Sequence, residues 1–350
     1  MGALLRTRPA LRRLWRDVGR VQLGEDAAHA VVLDGLGPGE EALLDDLAVG
    51  VDLSELRARR RGRDGASPAA VEHLLSLLRA ADALEPSPAP GARARARAGA
   101  AEAAALGLVH GGSGWDVLDR RAAATVRVEG GSRTAAALAS GLVEAGVGRV
   151  EVAARPQAGT RADHGALGGL PPGDVGQPAD GPPVSSPPRE LPREGGRPVD
   201  LTVLVARGAV PPHRAHALVR EDAVHLPVVL RVRSADVGPL VVPGRSACLR
   251  CVDLRRTDRD AEWPRVAAQL AHPAAPAPGA GGEDVVLARS VSALAVVRVL
   301  HHLDEPPAGR RSDRTRVPPG TAWEVDVADG LARSRTWAPH PRCGCTWPPG

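Results

Sequence analysis

Over the first 88 residues the apolar positions come in short runs, and beyond residue 120 they lengthen into buried-strand and helical patterns. Trp15–Leu23 and His29–Leu36 have strand length, and Gly24-Glu25-Asp26 between them can turn the chain, predicting a hairpin. Gly39–Leu47 places Leu43, Leu44 and Leu47 at helical spacing, and Asp52–Arg61 follows as a second short helix. Ser67–Leu84 predicts a third. Ser67 is its N-cap, Pro68 its first helical residue, and Val71, Leu74, Leu75 and Leu78 share one face. A hairpin with three short helices predicts a small α+β, winged-helix-like domain over residues 1–88.

Glu85–Ala105 carries Pro-Ser-Pro-Ala-Pro-Gly and then an Ala-Arg repeat, so residues 89–119 are expected to form a solvated linker. The second domain, 120–350, opens with strand Thr125–Val128, the Ala-rich helix Thr134–Ala145 and strand Arg149–Ala153, one βαβ unit of a parallel sheet. Arg155–Pro198 is rich in Gly, Pro and Asp and predicts no element. Asp200–Ala206 and His225–Arg231 predict further buried strands, the second paired with Val237–Val242. Asp284–Leu303 is the most apolar run, but Arg289, Arg298, His301 and His302 interrupt it, so it reads as a core helix and not a membrane span. Thr321–Val327 and Leu331–Trp337 flank Ala-Asp-Gly, a second hairpin signal. The fold class is therefore α/β, a Rossmann-like domain with a mostly parallel sheet behind a small α+β domain.

Composition narrows the chemistry. Gly (40) and Pro (33) fill about a fifth of the 350 residues, so turns are plentiful. Lys, Asn, Ile, Phe and Tyr are absent and Met1 is the sole Met. All these residues use AT-rich codons, and the gap marks a GC-rich genome. Every basic residue is Arg and the net charge is only +4, which does not indicate a basic nucleic-acid binder. Without Lys there is no Schiff-base, phosphate-loop or catalytic-base lysine. Without Tyr or Phe, stacking platforms for single strands are hard to build. No apolar stretch of signal-peptide length follows Met1, so a cytoplasmic, reducing location is expected.

Cys248-Leu-Arg-Cys251 and Cys343-Gly-Cys345 are the chain's four cysteines. Two such turns can close a tetrahedral thiolate site, predicting structural zinc on Cys248, Cys251, Cys343 and Cys345 with no open position for catalysis. His340 lies close enough in sequence to replace one sulfur. A redox Cys-x-x-Cys or four unrelated buried thiols are the alternatives.

Gly130-Gly131-Ser132 sits between a strand and a helix, the context of a phosphate-binding loop. In the Gly-x-Gly-x-x-Gly frame, however, Ser132 and Ala135 replace the second and third glycines. Ser132 brings a Cβ where backbone must approach a pyrophosphate, so the loop reads as a degenerate nucleotide site.

Ala145-Gly-Val-Gly-Arg-Val150, Asp174-Val-Gly176, Val237-Gly-Pro-Leu-Val-Val-Pro-Gly244 and the two cysteine pairs resemble the E1-like, ThiF-type activating enzymes over residues 120–350. Residues 1–88 resemble the winged-helix element that recognises leader peptides in thiazole/oxazole-modified peptide biosynthesis. Cys248–Leu270, with Asp258-Arg-Asp-Ala-Glu-Trp-Pro264, and His340-Pro-Arg-Cys-Gly-Cys345 are similar to actinobacterial members of this kind. The resemblance implies adenylation of a C-terminal carboxylate, with an acidic residue on the ribose, Arg and Lys on the triphosphate and Asp on Mg²⁺. Ungapped alignment puts Ala154, Ala166 and Ala179 at such places and Arg207 at the Asp; Arg155, Arg161 and Asp163 are the nearest replacements. ATP–Mg²⁺ thus lacks its expected ligands.

The resulting expectation is a degenerate ThiF/E1-like protein that binds a precursor leader and presents it to an ATP-using, cyclodehydratase-type partner enzyme. The leader would add a strand beside Val31, Val32 and Leu33, with side chains entering a groove at Leu75 and Leu78. The same five residues also suit a small domain's core. The alternative is an active adenylyltransferase acting on a peptide or carrier-protein C-terminus. A DNA-binding role for Arg57, Arg59, Arg60, Arg61 and Arg63 is weaker, since that run reads as a solvated helix end. The family resemblance also carries an expectation of homodimers.

Overall fold

The computed structural model describes residues 4–26, 30–52, 67–86, 96–153, 198–271, 283–305, 317–318 and 320–346. The chain divides into two compact units, Met1–Arg120 with Asp304–Arg316, and Arg121–Leu303 with Val317–Gly350.

The first unit holds two antiparallel three-stranded sheets. One has the order β5-β1-β6, from β1 (Leu4–Thr7), β5 (Val51–Asp52) and β6 (Leu84–Pro86); the other runs β2 (Arg13–Asp17), β3 (Arg20–Leu23), β4 (Val31–Leu33). The expected single strand Trp15–Leu23 is two. Gly19 sits at φ +69°, where a Cβ would approach the Leu36 carbonyl oxygen to 2.8 Å, so the chain turns there and β2 folds back on β3. The second expected strand survives as β4, with Val21 opposite Leu33.

Helix α1 (Pro38–Val49) begins at Gly37, whose N–H donates to Glu40 Oε2 at 2.7 Å. In α2 (Pro68–Ala80) the Ser67 hydroxyl accepts the Ala70 N–H at 3.2 Å, and Val71, Leu74, Leu75 and Leu78 turn inward. They meet Val21, Leu23, Leu33, Leu43, Leu44 and Leu47 in one core. The Asp52–Arg61 helix lies outside the described residues apart from Asp52, which belongs to β5. Much of the expected 89–119 linker is helical: α3 spans Ala96–His110 and α4 Gly114–Ala123. Ala and Arg are strong helix formers, so the repeat that suggested a tether favours a helix once the prolines are past. Arg8, 2% exposed, ties this unit together, donating to the Asp82 carbonyl (2.6 Å), Asp82 Oδ1 (2.7 Å) and the Gly112 carbonyl (2.6 Å).

The second unit is built on a seven-stranded sheet of order β13-β12-β11-β10-β9-β7-β8. Strands β7 (Thr125–Glu129), β8 (Arg149–Ala153), β9 (Leu201–Arg207) and β10 (His225–Leu230) are mutually parallel. β11 (Ser234–Val237), β12 (Thr321–Asp326) and β13 (Ala332–Thr336) extend the sheet antiparallel. The strand expected at Val237–Val242 is displaced toward the N-terminus. Gly238 adopts φ +102° before Pro239, which ends the ladder, and only an isolated bridge from Val241 to His225 remains.

Side-chain alternation separates the two faces of the sheet. Leu226, Val228 and Leu230 enter a core with α5 (Arg133–Glu144) and α9 (Val285–Leu303). α9 is long and apolar enough to cross a membrane by length and composition, but Leu287, Val291, Ala295 and Val299 are spent in this core. Pro227 and Val229 face the other side, toward α6 (Pro212–Arg220), α7 (Leu249–Thr257) and α8 (Trp263–Ala271).

Candidate functional site

The second unit brings its four cysteines together. Cys248 is the N-cap of α7 and Cys251 lies one turn on, while Cys343 and Cys345 follow β13. All four Sγ atoms lie within 4.8 Å of one another. Cys248 and Cys251 are 3.9 Å apart, Cys248 and Cys343 3.5 Å, and Cys251 and Cys345 3.3 Å. Tetrahedral ligands 2.3 Å from an ion stand about 3.8 Å apart, so the set fits a thiolate-bound metal with little rearrangement.

Electrostatics agree. The hydrogen bond from Cys248 holds the Cys251 thiol down at about 4, helped by the His340 N–H at 3.3 Å. Donating that bond pushes Cys248 far up, and burial pushes Cys345 up to about 11. Cys251 is thus held as a thiolate, and Cys248 and Cys345 must lose their protons for a metal to enter.

His340 does not replace a sulfur. Its Nδ1 accepts the Arg342 N–H at 3.1 Å and its Nε2 meets Asp258 Oδ2 at 2.8 Å, which lowers the Asp258 carboxyl. It braces the loop between the two cysteine pairs and α7. Trp337, 5% exposed, packs in the same small core as Cys248 and Cys251, with Arg335 and Arg256 over its ring.

The glycine loop lies at the carboxyl edge of β7, where open α/β sheets receive ligands. Gly130 takes φ +150°, and a Cβ there would meet the Val205 carbonyl oxygen at 2.8 Å. That glycine serves strand-to-loop packing. Ser132 is the N-cap of α5, its hydroxyl accepting the Ala135 N–H at 3.2 Å. Thr134 is fully buried, and both its N–H and its hydroxyl donate to Glu283 Oε2 at 3.0 Å. Arg214 grips Glu129 with two guanidinium donors, one at 2.9 Å, so the carboxylate that ends β7 is already paired. Arg207 closes β9 at the same edge. Ala154, Arg155, Arg161, Asp163, Ala166 and Ala179, and the Asp174-Val-Gly176 tripeptide, lie outside the described residues.

Sequence reasoning missed a cavity of about 220 Å³ between the sheet and α6–α8. Pro227, Val229, His216, Asp236, Asp253 and Arg256 line it. Burial raises the Asp253 carboxyl even though Trp263 Nε1 donates to it at 3.1 Å. Small-molecule sites usually measure roughly 300–1,000 Å³, so this volume suits a side-chain-sized group and not a nucleotide. Its lining comes from seven separate segments, and no local sequence signal marks it.

In the first unit the five residues expected to bind peptide divide. Leu33, Leu75 and Leu78 are buried in the core, Val31 packs partly against it, and Val32 is 42% exposed. Leu77, one position from Leu78, is 43% exposed on α2. Among the described residues β4 has one strand partner, β3.

Comparison with protein-family models and with curated proteins finds no match. Solved structures do match. A heterocyclase bound to substrate and cofactor aligns over 98% of this chain and 39% of its own, with a TM-score of 0.64 and 16% identity. The heterocyclase TruD aligns over 98% and 43%, with a TM-score of 0.65 and 16% identity. E. coli MccB in complex with MccA aligns over 98% of this chain and 99% of its own, with a TM-score of 0.60 and 12% identity. The chain therefore has the ThiF-like fold that the E1-type resemblance implied, and it spans about two fifths of the heterocyclases' length.

Proposed function

We propose that this protein is a non-catalytic scaffold of ribosomal peptide maturation, which binds a precursor leader and presents it to an ATP-using, cyclodehydratase-type partner in the cytoplasm. The first unit acts as the winged-helix-like recognition domain. The leader pairs as an added strand along β4, where Val32 faces outward, and Leu77 of α2 offers a second apolar contact. Leu33, Leu75 and Leu78 hold that surface from beneath. In the second unit Cys248, Cys251, Cys343 and Cys345 bind structural zinc.

The observation that carries the non-catalytic reading is the state of the phosphate loop: the α5 N-terminus already gives its amides to Glu283 and Ser132. The absence of Lys removes the cation an adenylation transition state would use. The likeness to MccB along nearly its whole length favours the second reading, an active adenylyltransferase.

Two measurements on the full chain separate these readings. Fluorescence anisotropy with a labelled precursor leader should show binding that Val32→Glu weakens at least tenfold, while Leu77→Ala has a smaller effect. Calorimetry with ATP–Mg²⁺ should show no heat of binding. Micromolar ATP affinity, or leader-dependent pyrophosphate exchange, overturns the scaffold reading in favour of the enzyme.

A further inference from the structure

We propose that Glu283 is an internal plug, a carboxylate of this chain seated where an anion would otherwise meet the first turn of α5. The inference rests on the degenerate-site reading above and supplies its cause.

A helix's first turn has unsatisfied N–H groups and a partial positive charge, and it attracts phosphate for that reason. Here the turn is answered from within. Glu283 Oε2 accepts the Thr134 N–H and Oγ1–H, both at 3.0 Å. Ser132 Oγ takes the Ala135 N–H, and the Ser132 carbonyl takes the Ala136 N–H. The Thr134 carbonyl is held in turn by the Ser292 hydroxyl at 3.0 Å.

The plug is rigidly mounted. Asp284, the next residue, accepts the Leu287 N–H at 2.7 Å and so caps α9, the 19-residue helix packed on α5 in the core. A phosphoryl oxygen entering at Thr134 would have to evict a carboxylate or sit against a like charge.

The test uses the full chain, thermal melting and calorimetry, with inorganic pyrophosphate and ATP–Mg²⁺ as probes. Wild type should respond to neither. Glu283→Ala should lower the melting temperature by roughly 2–4 °C, the loss of one cap from a unit of this size, and pyrophosphate should restore it. Glu283→Gln, which keeps an acceptor but loses the charge, should fall less and respond more weakly. The plug is refuted if Glu283→Ala melts like wild type, or melts lower and pyrophosphate does not raise it. Should Glu283→Ala fail to fold, Glu283→Gln decides: a pyrophosphate response absent from wild type supports the plug, and none refutes it. Wild type binding ATP–Mg²⁺ tightly topples the degenerate-site reading itself, whereas silence from both wild type and folded variants topples only the plug.

Discussion

The cysteine cluster and the glycine loop belong to the same unit and treat charge in opposite ways. At the cluster, acid groups converge: Cys251 is held ionised, Cys248 and Cys345 are held protonated, and four sulfurs crowd within 4.8 Å. Such a set can hold a metal ion. At the loop, the partial positive charge of a helix end meets Glu283 and Ser132 of the same chain, which take the Thr134 and Ala135 amides. One site gathers acid groups that suit a cation; the other meets a helix end with side chains of its own chain.

The largest difference should appear on metal removal. One zinc per chain is expected, and a chelator or Cys248→Ser should cut the melting temperature sharply and open the segment after β13 to protease. Binding energies of about 10–16 kcal/mol in small zinc domains bound that loss from above. Metal analysis with limited proteolysis reads it, and an unchanged melt after complete chelation breaks the contrast. Zinc uptake should also release protons into weakly buffered solution, because Cys248 and Cys345 are held protonated. Affinity should therefore rise with pH.

Gly130→Ala comes next. Its Cβ would press on the Val205 carbonyl at a φ that L-residues avoid, costing about 1–3 kcal/mol in urea denaturation. Ser132→Ala should cost less, about 0.5–2 kcal/mol, by uncapping α5. A change at either position that altered metal content would blur the separation of the two regions.

The smallest effect is in pH. His225 is fully buried and burial lowers its pKa, so the unfolded chain binds the extra proton. Its contribution is present above the unfolded value of about 6.5 and is lost as pH falls below it. His225→Gln should flatten the melting profile over that window, and an unchanged slope contradicts the assignment.

The sequence made the cysteine cluster legible because each pair is local and only the meeting of the pairs is tertiary. The βαβ unit and α2 were legible for a similar reason: Thr125–Val128, Arg149–Ala153 and the Ser67-Pro68 start carry their signals within a few residues. Glu283 was not legible. It acts on Thr134 across 149 positions, and nothing near it distinguishes it from any surface glutamate. The cavity shares that obscurity. His340 shows the reverse failure, since its spacing suggested a ligand while its ring turns to Asp258. Where expected strands moved, at Gly19 and Gly238, a positive φ cut an apolar run that periodicity alone would have continued. The Ala-Arg repeat differs in another way: its composition suits a solvated tether, while its residue propensities favour helix, as in α3.

The knot at Arg8 has a kinetic consequence. One guanidinium spans β1, the turn at Asp82 and the bend at Gly112 between α3 and α4, so none of these can loosen alone without stranding its donors. In deuterium uptake the amides of all three should open as a single cooperative step. Arg8→Leu should split that step into separate events, each faster than the one it replaces.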